Sequence, residues 1–157
     1  MPRTSYAVAL GSNRRTRFGS PAATLRAAAA ALEPAAVSRV RETPALGPAG
    51  RSFANAAARI ETELEPEALL RRLKALERAF GRRAGRRWGP RPLDLDIILW
   101  SEGPYAAPSL IIPHPAFRER PFVLEPLAEI MPDWRDPVTG RSVRHLAALT
   151  RSLRPTT

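Results

Sequence analysis

The chain of 157 residues contains no cysteine. That removes a disulfide framework, a thiolate nucleophile and a Cys2His2-type zinc site. No stretch approaches the ~20 apolar residues of a membrane span. The start, Met1-Pro2-Arg3-Thr4, leads straight into a strand-like run instead of a secretory signal. A cytoplasmic protein without a membrane partner is expected. Lysine is nearly absent too: Lys74 is the only one, so arginine carries most of the +10 net charge. A basic chain invites a nucleic-acid reading. Its arginines are scattered, however, and no arginine-glycine-aromatic block typical of RNA-reading sheets occurs. Repeats, long linkers and low-complexity tracts are also missing. Residues 1–157 are therefore expected to form a single domain, with 151–157 a frayed tail.

What is present is ordinary for a soluble globular chain, with 44% hydrophobic and 25% charged residues. Tyr6 to Leu10 predicts a strand stopped by Gly11-Ser12-Asn13. Ser20-Pro21 is a cap followed by a first-turn proline, so the alanine-rich run to Leu32 predicts a helix. Val37 to Thr43 alternates as a strand, and the segment from Pro44 to Gly50 reads as a loop. Phe53 to Leu64 predicts the partner strand. Pro66 opens a second helix in which Leu69, Leu70, Leu73, Leu76 and Phe80 recur at helical spacing as core. Gly81 closes that helix, and an arginine-rich loop follows. After a proline-rich link, a helix is expected from Pro121 toward Ile130, with Pro126 interrupting it or setting its first turn. Asp136 to Gly140 predicts a turn, and Ser142 caps a last short helix. Strand, helix, strand, strand, helix, strand is the α+β, ferredoxin-like order, with two helices on one face of a largely antiparallel sheet.

The stretch between Trp88 and Trp100 carries the chemistry. Leu93 to Leu99 is an apolar run interrupted by Asp94 and Asp96. In a strand the two carboxylates share one face, and Leu93, Leu95 and Ile97 share the other. Paired acids on a core-like strand repel each other and resist desolvation. A hard cation such as Mg²⁺, held by one or two carboxylates plus substrate phosphates, would relieve both costs. Arg82, Arg83, Arg86, Arg87 and Arg91 lie just upstream. Their guanidinium forks suit polyphosphate oxygens as well as they suit RNA.

The string Arg87-Trp88-Gly89-Pro90-Arg91-Pro92-Leu93-Asp94-Leu95-Asp96-Ile97-Ile98 resembles the signature of the 6-hydroxymethyl-7,8-dihydropterin pyrophosphokinases. Four further blocks agree in order and spacing: Leu10-Gly11-Ser12-Asn13; Thr43-Pro44 with Leu46-Gly47-Pro48; Phe53-Ala54-Asn55; and Pro113-His114-Pro115 with Arg120 and Phe122. The resemblance implies a folate-pathway transferase that moves the β,γ-pyrophosphoryl group of ATP onto a pterin alcohol and releases AMP. It implies that Asp94 and Asp96 bind two Mg²⁺ ions, with Arg82 and Arg91 as catalytic partners. ATP would contact Glu77, Arg82, Arg91, Ile97, His114 and Arg120. The pterin would meet Thr43, Pro44, Leu46, Phe53, Asn55, Trp88, Asp94 and Phe122. It further implies small-molecule substrates, no nucleic acid and a monomer. Some positions depart from the pattern. Lys74 stands where an amide is frequent, Phe53 where tyrosine is, and Ser109 and Ile111 where Arg and Thr occur. The loop from Arg82 to Trp88 is one residue short, which leaves open whether Arg83 or Arg86 takes the second phosphate-contacting role. The competing reading is a basic ferredoxin-like RNA-binding module without catalysis.

Overall fold

A computed structural model describes residues 2–43, 52–81 and 92–152. In chain order the strands are β1 (Thr4–Ser12), β2 (Ala36–Val37), β3 (Arg41–Thr43), β4 (Phe53–Thr62), β5 (Asp94–Trp100), β6 (Tyr105–Ala107) and β7 (Leu110–Ile112). The helices are α1 (Pro21–Leu32), α2 (Pro66–Ala79), α3 (Pro121–Ile130) and α4 (Val143–Ser152), with a 3-10 turn at Phe117–Glu119 before α3. The main sheet runs β2-β4-β1-β5, and β3 pairs with β4 beyond β2. All of these pairings are antiparallel. With β2 and β3 taken as one interrupted strand, the order is that of the ferredoxin-like fold. β6 and β7 form a separate hairpin.

Local chemistry explains the helix ends. Ser20 accepts from Ala23 N at 3.2 Å to cap α1, and the Ser142 hydroxyl accepts from His145 N at the start of α4. Gly81 takes φ +105° and donates its N–H to Arg78 O, closing α2 with a backbone geometry that glycine adopts without strain. Proline at the first turn opens α1, α2 and α3.

The sheet is covered on both faces, whereas the sequence reading placed two helices on one face. Tyr6, Val8, Leu10, Ala58, Ile60, Leu95 and Ile97 pack with α1 and α2. On the other face Ala7 and Ala57 meet Phe117, Leu124, Leu127 and Leu146 of the C-terminal segment. Small side chains on that face let α3 and α4 lie close to the strands. The expected strand from Val37 to Thr43 is split. Ser38 turns its backbone and side chain onto Ala57, donating N–H to Ala57 O and accepting from Ala57 N through its hydroxyl. Pro126 lies inside α3 without ending it. An N–H at this position would have bonded the Phe122 carbonyl, so α3 gives up that one helical bond.

β5 is the outer strand of the sheet. Between Val8 and Ala7 its register against β1 slips by one residue, which makes a bulge at Ile98. Ile97 thus faces α1 and α2, while Ile98 and Leu99 both face α3 and α4. Leu93, Leu95 and Ile97 share the face expected of them.

Candidate active site

Strand register assembles the site. Arg41 lies opposite Asn55, Asn55 opposite Gly11, and Gly11 opposite Asp94. The next row on the same face is Ala57, Ala9 and Asp96. Asp94 and Asp96 therefore stand side by side, with a strip of small residues next to them. Gly11 keeps that strip open, since a Cβ there would lie 3.4 Å from Asn55 Oδ1. The sequence reading stopped the first strand at Gly11-Ser12-Asn13, but β1 continues to Ser12 with Gly11 inside it, where glycine signals close approach by a ligand or backbone. Asn55 is half-buried, and no hydrogen bond of its side chain occurs among the described residues. A mid-strand amide with open donors and acceptors suits the edge of a polar ring.

Two aromatic side chains are exposed and are not core. Phe53 is 48% exposed at the start of β4, opposite Thr43 of β3, and Phe122 is 49% exposed at the start of α3. The Arg120 guanidinium lies 5.7 Å from the centre of the Phe122 ring. Exposed aromatics on rigid elements offer flat faces for stacking at little conformational cost.

On the other side of Asp96 a cleft of about 300 Å3 runs along the outer edge of β5. Leu70 and Lys74 of α2 form one wall, with Ser109, Ile111, His114 and Pro115 opposite. Leu70, expected as core, packs against the core cluster and also lines this cleft. His114 is tied to β5 by its N–H, which donates to Ile98 O at 3.0 Å. Its Nδ1 accepts from Ala116 N at 3.1 Å, which leaves Nε2 as the ring's donor. Burial lowers the His114 pKa, and the nearby carboxylate of Asp96 opposes that shift. The neutral ring is favoured.

Asp96 is pushed the opposite way. Burial raises its pKa, and the Asp94 charge adds to the effect, while His114, Arg120 and Lys74 pull it down. A cation placed between the carboxylates would remove the repulsion. Among the described residues no group of three His, Cys, Asp or Glu side chains forms a ready-made metal cage. Two carboxylate donors with room beside them fit Mg²⁺, which keeps water and phosphate oxygens in its shell.

Glu77 is the residue whose setting was least expected. It lies on the buried stripe of α2 with Leu69 and Leu73 and is 2% exposed. Its Oε2 accepts from the Leu95 N–H at 2.8 Å, at the residue between the two aspartates. The carboxylate pins the edge of β5, and charge-assisted bonds of this kind are worth about 1.5–3 kcal/mol. Because the Leu95 N–H points outward, strand alternation puts the N–H and C=O of Ile97 on the same outer edge, beside the cleft. The segment carrying His114 and Arg120 is fixed from below. Arg118 makes a two-pronged ion pair with the fully buried Asp136, including Nη2 to Oδ1 at 2.8 Å.

Strand register puts Asn55, Gly11 and Asp94 in one row, with Phe53 and Thr43 paired two residues along. Ile97 and His114 share the cleft with Asp96, and Glu77 bonds the residue between the aspartates. Arg120 acts on Asp96 and lies over Phe122. Pro44, Leu46, Arg82, Trp88 and Arg91 lie outside the described residues, as does the expected tail beyond Ser152.

A ferredoxin-like α+β fold with a carboxylate pair beside a cleft at the sheet edge defines the class. Solved Plasmodium falciparum HPPK-DHPS, in its wild-type form with pteroate, shares this fold with a TM-score of 0.71. That match covers 96% of this chain and 43% of the other at 14% identity. The family model for 7,8-dihydro-6-hydroxymethylpterin-pyrophosphokinase (HPPK) matches residues 7–132. The chain belongs to this family. The Pseudomonas aeruginosa 2-amino-4-hydroxy-6-hydroxymethyldihydropteridine pyrophosphokinase is 42% identical over 148 residues, which is 90% of this chain and 88% of that one. The Bacillus subtilis enzyme of the same description is 41% identical over 126 residues, 78% and 75% of the two chains. A Synechocystis relative is 44% identical over 102 residues, and the match spans about half of its length, 52%.

Proposed function

We propose that this chain transfers the β,γ-pyrophosphoryl group of ATP to the hydroxymethyl group of 6-hydroxymethyl-7,8-dihydropterin, forming the pterin diphosphate and AMP. The observation that carries the proposal is the position of Asp94 and Asp96 between the Gly11–Asn55 strip and the cleft along β5. The strip, together with the exposed rings of Phe53 and Phe122, suits a flat ring with a polar edge. The cleft combines apolar walls with Lys74 and His114 and suits a nucleotide.

In this reading Phe53 and Phe122 hold the pterin faces, and Asn55 reads its pyrimidine edge. The backbone of Thr43 and the loop residues Pro44 and Leu46 complete that edge. The backbone N–H and C=O of Ile97 supply a donor and an acceptor for the nucleobase. Nε2–H of His114 and the Arg120 guanidinium contact the phosphates nearest the leaving AMP. Glu77 holds β5 so that both aspartates stand between the strip and the cleft. Arg82 and Arg91 meet the transferring phosphates, and Trp88 covers both ligands. Asp94 and Asp96 would bind Mg²⁺, two ions when ATP is present. Bound there, the metal would neutralise phosphate charge. The pterin hydroxyl oxygen bonds to the β-phosphorus, the bond from that phosphorus to the α-phosphate oxygen breaks, and the hydroxyl proton is lost. Such transfers depend chiefly on positioning and charge stabilisation. The protein acts as a monomeric single domain in the cytoplasm on small molecules. No helix among the described residues is long and apolar enough to cross a membrane.

Isotopic labelling tests the reaction directly. With ATP labelled at the β-phosphorus, the label is expected in the pterin product and not in the nucleotide product. Label remaining in ADP would identify a simple phosphokinase and overturn the proposal.

A further inference from the structure

We propose that α2 bears a second anion subsite, contiguous with the nucleotide cleft, that takes a phosphate group. A concavity of about 350 Å3 adjoins the first cleft and shares Leu70, Lys74 and Ser109 with it. Its remaining lining is Glu67, Arg71 and Arg78. Arg71, Lys74 and Arg78 are spaced three and four residues apart, so they rise from one stripe of the helix. The three cations converge on one hollow.

Their charge is only partly offset: Lys74 acts on the Asp96 carboxylate, and Glu67 is the one acid in the lining. None of the three side chains has an ion-pair or hydrogen-bond partner among the described residues. Glu67, four residues before Arg71, makes no ion pair with it among the described residues, and the three cations still leave the lining net positive. The Glu67 Oε1 accepts from the Tyr105 hydroxyl at 2.8 Å. That bond ties α2 to the β6–β7 hairpin and builds one side of the hollow. Ser109, on the turn of the same hairpin, adds a hydroxyl facing the cations. Three cationic donors and a hydroxyl around a concave opening match a phosphate-type dianion. An isolated surface cation row would lack the opposite wall.

The phosphate could be carried on the ribose of a nucleotide in the first cleft, or it could be free phosphate or pyrophosphate. The contiguity rests on the nucleotide reading of that cleft, whereas binding of free phosphate does not. Arg71→Gln/Arg78→Gln removes two exposed cations without touching the residues assigned to catalysis. Calorimetry at fixed ionic strength would compare this variant with the wild-type chain for inorganic phosphate, pyrophosphate, AMP and adenosine 2′,5′- and 3′,5′-bisphosphates.

The wild type is expected to bind a phosphate-type ligand at least about five-fold more tightly than the variant, as two modest charge contacts allow. AMP affinity should be equal in the two proteins, and Arg71→Lys/Arg78→Lys should recover most of the loss. A bisphosphate advantage over AMP in the wild type alone identifies a ribose-borne phosphate. Pyrophosphate that binds the AMP complex of the wild type more tightly than that of the variant identifies a free anion. Equal affinity of wild type and variant for every phosphate probe overturns the subsite, as does equal competition by chloride. Failure of AMP to bind either protein would contradict the nucleotide reading, and the phosphate titration would still decide the subsite.

Discussion

Replacing Asp136 with Asn tests whether the pedestal beneath His114 and Arg120 has the strength its geometry implies. The Asp136 carboxylate is fully buried and bonded by Arg118, the Val138 N–H and the Thr139 hydroxyl. Burial alone would raise its pKa, but these bonds outweigh burial and hold it down at about 2. Against an unfolded value near 3.9, a shift of roughly two units corresponds to about 2.5 kcal/mol. For a chain of this size that is a fall in melting temperature of about 5–10 °C. A depressed folded-state pKa contributes stability that is complete above the unfolded value and lost as pH falls toward the folded value. The gap between wild type and Asp136→Asn should therefore be full at pH 6–7 and close between about pH 4 and pH 2. Thermal melts monitored by circular dichroism across that range measure it. A gap that stays constant down to pH 2, or no gap at pH 7, would refute the argument. Because Arg118 lies between His114 and Arg120 in the chain, the same variant should raise KM for ATP more than KM for the pterin.

Three other perturbations separate binding from folding. Gly11→Val should fill the strip between Asn55 and Asp94 and raise KM for the pterin at least ten-fold, with KM for ATP little changed in steady-state assays. Phe53→Ala and Phe122→Ala should each weaken pterin binding about ten-fold or more by fluorescence titration. Their stability should stay within about 0.5 kcal/mol of wild type, because both rings are exposed and a buried phenylalanine would cost about 3–5 kcal/mol. Glu77→Leu leaves the Leu95 N–H without its carboxylate partner and should cost about 1–3 kcal/mol in urea unfolding. It should also weaken Mg²⁺-ATP binding, through displacement of the strand that carries Asp94 and Asp96.

The aspartate strand was legible because alternation acts locally: Leu93, Leu95 and Ile97 on one face force Asp94 and Asp96 onto the other. The bulge at Ile98 was not, since it depends on how β5 meets β1. Glu77 had a readable signal. It follows Leu69 and Leu73 at four-residue steps and precedes Phe80 by three, so it occupies the apolar stripe of α2. Charge alone suggested an exposed residue, and the unpaired Leu95 N–H that accounts for its burial exists only in three dimensions. The C-terminal layer was hidden for a related reason. Its helices were readable one by one from their caps and prolines, but the small Ala7 and Ala57 that seat them lie on distant strands. The separation of Phe53 and Phe122 from the core likewise follows from where β4 begins and α3 docks.

The most direct test of the central claim is AMP formation from ATP, Mg²⁺ and 6-hydroxymethyl-7,8-dihydropterin, measured for the wild type beside Asp94→Ala. The account predicts AMP from the wild type only when the pterin is present, and loss of at least a hundred-fold in the folded variant. AMP release without the pterin, or an Asp94→Ala variant as active as the wild type, would contradict it.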